Sequence, residues 1–271
     1  MPRTVIMSTT DGKILHLECH ESVSSTIELA RSYASAGYND GYVVISENQT
    51  KFTATGNPIK NGEPEHGIYI SCILRPSLFY SHMGFMGAIS AVSLLNALDE
   101  HTTKSLGIGW ISDIFCDGKK MGTTAIEGRL ASTGSYEYII VSFYAHLADT
   151  DFPPRLNDLV KKVFESENTS IPLMIGRKIL NNFFSLYPKH VKSPEKFMDV
   201  YKRRFLFSGL KCKYISDGKK KRCRILGIEG SDGRLIVELK NGTMQNFSGN
   251  RNLILPDKIK QKRSQPKPNT P

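Results

Sequence analysis

The chain has 271 residues and a formal net charge of +10, enough length for one substantial core and a second small domain. No apolar run approaches the ~20 residues of a membrane helix, and the opening "MPRTVIMSTTDGK" lacks the apolar stretch of a signal peptide, so the sequence reads as that of a soluble, cytoplasmic protein. Five cysteines without a CxxC pair argue against a disulfide framework and a cysteine zinc site.

The charge is unevenly spread. Residues 1–200 hold 18 Lys+Arg against 21 Asp+Glu, whereas residues 201–271 hold 18 against 5. A basic end either steers an acidic partner or is a solvated tail.

In chain order, "TVIM" and "KILHLE" read as short strands. In "HLECH" a strand would point His16 and His20 the same way without completing four ligands, so no metal site is expected. "SVSSTIELARSYASAG" reads as a helix: Ser25 and Glu28 form a capping box, Gly37 stops it, and Ile27, Ala30 and Ala34 share a face. "GYVVISE" (41–47) and "GIYISCILRP" (67–76) are strands, and the Gly/Pro/Asn-rich stretch between them reads as a functional loop. "MGFMGAISAVSLLNAL" (83–98) is apolar on most faces and should be a buried helix. "GWISDIFCDGKKMGTTAIEG" (109–128) is a hairpin with a DGK turn, and "YEYIIVSFYAHL" (136–147) is a strand.

Helical patterns follow in "LNDLVKKVFES", "SIPLMIGRKILNNFFSLY" and "SPEKFMDVYKRRF" (193–205). From Gly209, short β-like runs separated by DGK, SDG and NG turns predict a small antiparallel barrel. "PDKIKQKRSQPKPNTP" should be disordered. The expected organisation is an α/β domain with a mixed sheet and flanking helices (1–206), a small β-barrel (207–256) and a disordered basic tail (257–271).

No P-loop, Rossmann, GxSxG or zincin motif occurs. The order "ESVSSTIELA", "SENQT", "GIYISCILRP", an apolar helix, "GWISDIFCDGKKMGTTAIEG" and a terminal "GRLIVELKNGTMQNFSG" nevertheless resembles the biotin protein ligases over about residues 18 to 255. The chain starts at what would be the catalytic domain, so the resemblance implies no DNA-binding helix-turn-helix, no DNA partner and no membrane. It implies a reaction in two steps. Biotin's carboxylate attacks the α-phosphate of ATP, carried with Mg as a substrate and not as a bound cofactor, and a lysine of a biotin carboxyl carrier domain then attacks the acyl-adenylate. A homodimer is left open.

By the same resemblance, Ser25, Thr26, Gln49, Thr50 and Trp110 would line the biotin pocket. Ser25 by itself reads as a helix cap. Lys120, seven residues before Glu127, matches the family lysine that contacts the acyl-phosphate, with Lys119 as the fallback; by itself a lysine after Asp-Gly reads as a solvated hairpin residue. Lys51, Lys60, Asp113 and His146 would face the nucleotide.

Three elements depart from the family pattern. "GRGR" is replaced by "KFTATGN", so no arginine lies in residues 51–74. "KWPND" becomes "GWISD", with Gly109 for lysine and Ser112 for asparagine, and "GxGxN" becomes "SFYAH" at 142–146. Thr123 stands where glycine is expected. The expected function is therefore a biotin protein ligase-type enzyme with an altered nucleotide loop. The alternatives are a catalytically impaired homologue acting as a binding module, or lipoate or octanoate transfer, although Cys116 lacks a nucleophile's context. Nucleic-acid binding through the basic end is a further class. In the ligase reading, Lys211, Lys213, Lys219, Lys220, Lys221 and Arg222 would meet an acidic carrier or the ATP phosphates.

Overall fold

A computed structural model describes residues 2–51, 65–76, 85–102, 104–146, 171–192, 195–229, 233–248 and 253–255. Lys60 and the rest of the 52–64 stretch, the helical pattern at 156–166 and the tail from 257 lie outside the described residues.

Strands β1 (Arg3–Ser8), β2 (Ile14–Val23), β3 (Tyr42–Gln49), β4 (Glu65–Leu74), β5 (Leu106–Gly109), β6 (Asp113–Cys116), β7 (Lys119–Leu130) and β8 (Tyr136–His146) form one eight-stranded sheet. Its order is β1-β2-β3-β4-β8-β7-β6-β5. Only β2 and β3 run parallel, and helix α1 (Thr26–Ser35) connects them, as a parallel pair requires. The sheet is thus mixed, as the sequence predicts.

Each face of the sheet has its own cover, because successive side chains point to opposite sides. On one side Ala30 and Ala34 of α1 pack on Val44, Ile73, Tyr138 and Ile140. Alanines let the helix lie close to the strands. The other side carries the main core, where α2 (Met86–Asp99) is buried around nearly its whole circumference, as an all-round apolar helix must be. Helix α3 (Ile171–Lys192) packs beside it, with Phe183 edge-on to Phe143 at 5.7 Å.

Helix α1 is fixed at both ends. Ser25 accepts a hydrogen bond from the Glu28 N–H at 3.4 Å, and Gly37 follows the helix with φ +90°. Past the helix end the Arg75 guanidinium donates to the Ala34, Tyr38 and Glu137 carbonyls at 2.7, 2.8 and 3.2 Å. A cation is favourable there because the last carbonyls of a helix are otherwise unsatisfied.

Helix α4 (Glu195–Arg204) leads out of the first sheet. The Tyr201 hydroxyl donates to the Ile111 carbonyl at 2.5 Å, and the Leu206 N–H donates to the Ile108 carbonyl at 2.9 Å. The second sheet contains β9 (Lys211–Ser216), β10 (Lys219–Ile228), β11 (Leu235–Leu239), β12 (Met244–Phe247) and β13 (Leu253–Ile254), in the order β12-β11-β10-β9-β13. This corrects the expected barrel: among the described residues the sheet is open, because β12 and β13 each pair on one side only. Its inward residues Ile225, Leu235 and Val237 belong to the main core cluster.

The metal-like "HLECH" stretch is explained by Glu18. Its carboxylate is nearly buried and accepts from the Tyr33 hydroxyl at 2.9 Å, from Tyr42, and from His20 Nε2 at 2.6 Å. Burial alone would raise its pKa. The hydrogen bonds from Tyr42, Tyr33 and His20 outweigh that and hold the carboxyl below its ordinary 4.5. A depressed carboxylate stabilises the fold above its ordinary pKa and loses that contribution as pH falls through the lowered value. Glu18→Gln should therefore cost stability at pH 7. The gap between the two proteins in urea midpoints should close progressively below pH 4.5; a constant gap down to full protonation would contradict this.

Candidate functional site

The parallel strands β2 and β3 end side by side, with Val23 opposite Gln49, and α1 begins at that end. Ligands in such sheets bind beyond the carboxyl ends of parallel strands, where a helix N-terminus supplies free N–H groups. Here one of those groups is already engaged. The Thr26 N–H donates to Gln49 Oε1 at 3.0 Å, and the Thr26 hydroxyl lies 3.5 Å from the same oxygen.

This pair continues as a buried chain of hydroxyls. Ser71 donates to Thr26 Oγ1 at 3.0 Å and shares a 2.8 Å hydrogen bond with Ser142, directly opposite it across β4 and β8. Tyr144, two residues beyond Ser142 on β8, lies on the same face. Burial is the largest influence on Tyr144 and pushes its pKa up to about 12, so it remains a donor at neutral pH. Tyr69 sets its ring 6.0 Å from that of Tyr144, tilted by 54°. The result is a buried floor of amide and hydroxyl groups against an aromatic pair, chemically suited to a ligand with both donors and acceptors on a compact head.

Of the sequence-predicted residues, Thr26 and Gln49 lie in this network, and Ser25 caps the helix above it. Thr50 is half-buried and its N–H closes on the Val23 carbonyl at 3.1 Å. Lys51 reaches Glu28 at 2.5 Å and is half exposed. Ser71, Ser142, Tyr69 and Tyr144 were not anticipated. The only signal was their two-residue spacing in "YIS" and "SFY", which puts each pair on one strand face.

The hairpin brings a charged group to the same face. The Asp117-Gly118 turn has φ +49° and +78°, as a two-residue hairpin turn demands, and leaves Lys119 exposed. Lys120 is only partly exposed, and its Nζ lies 2.8 Å from Asp113 Oδ1. Thr123 donates to that same oxygen at 2.7 Å and stands opposite Tyr144 in the ladder. Thr123 thus sets the Asp113–Lys120 pair beside Tyr144 in the sheet. Glu127, further along β7, holds α1 through a two-pronged pair with Arg31 at 2.7 Å on each prong.

Other predicted residues lie elsewhere. Trp110 is buried in the main core, and its indole N–H donates to the Gly233 carbonyl at 3.0 Å, tying the hairpin to the second sheet. His146 ends β8 opposite Gly67. Gly109 has a packing reason: a Cβ there would come within 2.6 Å of the Phe115 ring and 2.9 Å of the Phe207 ring. Ser112 is used locally, its hydroxyl bonding the Thr124 carbonyl at 2.9 Å.

Two stability predictions follow from these contacts. Gln49→Leu strands the buried Thr26 N–H and should cost about 1–3 kcal/mol in urea unfolding. Gly109→Ala forces the Phe115–Phe207 pair apart and should cost a similar ~1–3 kcal/mol. Substitutions that leave the urea midpoint unchanged would show that these contacts do not support the fold.

No protein-family profile matches the chain. Over 165 residues it is 25% identical to the bifunctional ligase/repressor BirA of Bacillus subtilis, which amounts to 60% of this chain and 48% of that protein. A second BirA, from Bacillus spizizenii, is 23% identical over 157 residues. The chain spans about half the length of these curated relatives. Among solved structures, the biotin protein ligase of Aquifex aeolicus in complex with biotin and ATP superposes with a TM-score of 0.64 at 18% identity, covering 88% of this chain and 97% of that one. A biotin protein ligase-like protein of unknown function from Silicibacter gives 0.58 at 13% identity, covering 90% and 97%.

Proposed function

We propose that this chain, a divergent member of the biotin protein ligase family, activates biotin with ATP to biotinyl-adenylate and passes the acyl group to a lysine of a biotin carboxyl carrier domain. The observation that carries the reading is the hydroxyl network with, beside it in the sheet, Thr123 holding the Asp113–Lys120 pair. In this reading Gln49, Thr26, Ser71, Ser142 and Tyr144 hold the head of the acid. Ser71, Ser142 and Tyr144 extend the set of residues that the family resemblance implied. Lys120 meets the negative charge that builds on the phosphate and then on the carbonyl oxygen, a contribution of about 3–4 kcal/mol when such a donor is pre-positioned.

Asp113 aims the lysine until substrate phosphates compete for it. Lys51, and Lys60 outside the described residues, supply point charges where the family has arginines; they lack the bidentate fork. Magnesium enters with ATP as part of the substrate. The exposed cations of β9 and β10 are the surface offered to an acidic carrier.

A second reading is a homologue that binds its acid without turnover. It is favoured by the ion pair itself, because Lys120 is already engaged by Asp113, which Thr123 also holds. The same floor could hold lipoate or octanoate, whose heads offer no amide to Gln49.

The discriminating experiment incubates the purified protein with ATP and, separately, biotin, lipoate or octanoate, and follows acyl-adenylate by mass spectrometry. Biotinyl-adenylate should form with the wild type and fall about 100-fold or more in Lys120→Ala at unchanged circular dichroism. Biotin binding without adenylate would establish the second reading, and adenylate with another acid would reassign the substrate.

A further inference from the structure

The second sheet carries a chemical group that biotin transfer does not use. Cys212 and Cys223 sit in the sequences Lys-Cys-Lys and Arg-Cys-Arg, on β9 and β10, the two strands of one hairpin. The turn at Asp217-Gly218, with φ +53° and +69°, has two residues and fixes the register, so Cys212 and Cys223 stand directly opposite. Their Sγ atoms are 3.0 Å apart, and both side chains are buried at 6% exposure. Opposed residues in an antiparallel ladder have Cα atoms about 4.5–5.5 Å apart, within the range a disulfide accepts without backbone movement.

The surroundings select the reagent. The pair lies along a groove of the sheet whose rim includes Lys211, Lys213, Arg222 and Arg224. These four alternate with the cysteines along the strands and are exposed. Lys213 stands opposite Arg222, and Lys211 opposite Arg224, so the hairpin carries two cross-strand pairs of positive charge on the exposed face of the sheet, behind the inward-facing sulfurs. Glu238, opposite Arg224, is the one carboxylate among the groove residues.

We infer that Cys212 and Cys223 form a dithiol site for exchange with anionic low-molecular-weight disulfides, giving an intramolecular disulfide across β9 and β10. In the first step a thiolate of the pair attacks one sulfur of the reagent RS–SR. The reagent's S–S bond breaks, RS⁻ leaves and takes a proton, and a mixed disulfide remains. In the second step the other cysteine, having given up its proton, attacks the protein-side sulfur and releases the second RS⁻. The two protein thiols are oxidised to one S–S bond, and the reagent is reduced to two thiols. The cations raise the local concentration of an anionic reagent, and proximity makes the second step fast. Burial, followed by the hydrogen bond to Cys223, holds the Cys212 thiol above its ordinary pKa, so exchange accelerates with alkaline pH.

The test uses the folded, reduced wild-type chain with glutathione disulfide as the anionic probe and cystamine as the cationic one. Intact mass and peptide mapping should show loss of two hydrogens and a link between the peptides containing Cys212 and Cys223. Glutathione disulfide should react about 10-fold faster than cystamine at low salt, with the ratio shrinking at high salt. Cys212→Ser and Cys223→Ser should each stop at a trapped mixed disulfide. Serine is close in size to cysteine, and the wild-type map decides the matter even if a variant misfolds. The site is overturned if both cysteines stay alkylatable under conditions that oxidise the urea-unfolded chain, or if the link joins other cysteines. Equal rates with the two probes would overturn the role of the cations.

Discussion

The hydrogen bond from the Thr26 N–H to Gln49 Oε1 ties the first turn of α1 to the end of β3. It lies in a nearly dry interior, where an unsatisfied donor is expensive and a satisfied one fixes geometry. Everything at the candidate site refers to it. The Thr26 hydroxyl is aimed by that contact and accepts from Ser71, which in turn sets Ser142. The helix cannot roll, because Arg31 is held by Glu127 at one side and the Ala34 carbonyl by Arg75 at the far end. These polar ties add to the apolar packing of Ile27, Leu29, Ala30, Tyr33 and Ala34 in placing the helix.

The hairpin's unusual residues have physical reasons. The missing Cβ at Gly109 makes room for the Phe115–Phe207 contact, which joins the hairpin to the chain entering the second sheet. Thr123 gives Asp113 a second donor and so reinforces the Asp113–Lys120 pair.

Much of the fold was legible in the sequence. The Ser25/Glu28 cap, the all-apolar α2 and the Asp-Gly turns are local signals, and each appears where its chemistry put it. Turn signals give hairpin partners but do not say whether the first and last strands meet, which is why the open second sheet read as a barrel. The site was half legible. Thr26 and Gln49 stood at element ends, where sequence points, whereas Ser71, Ser142 and Tyr144 are inner strand positions whose common face depends on β4 pairing with β8. The Lys120–Asp113 contact was hidden by the register shift between Ile114 and Phe115. Cys212 and Cys223 were visible in principle, since a two-residue turn at 217–218 places them opposite each other, but eleven residues of separation masked the pair.

The strand order also has a consequence for how the molecule comes into being. Strands β1 to β4 are laid down in sequence and pair with their immediate predecessors, but β4 finds its other neighbour in β8. Ser71 and Ser142 are 71 positions apart along the chain. The entropy of closing so long a loop is met only once the later hairpins pull β8 into place, and contacts of this separation form slowly. During synthesis the early strands and the capped helix can assemble while the later strands are still in the ribosome. A nascent chain halted before Tyr136 would hold Thr26 and Gln49 in reach of each other and have nothing on the far side of Ser71 to complete the buried floor.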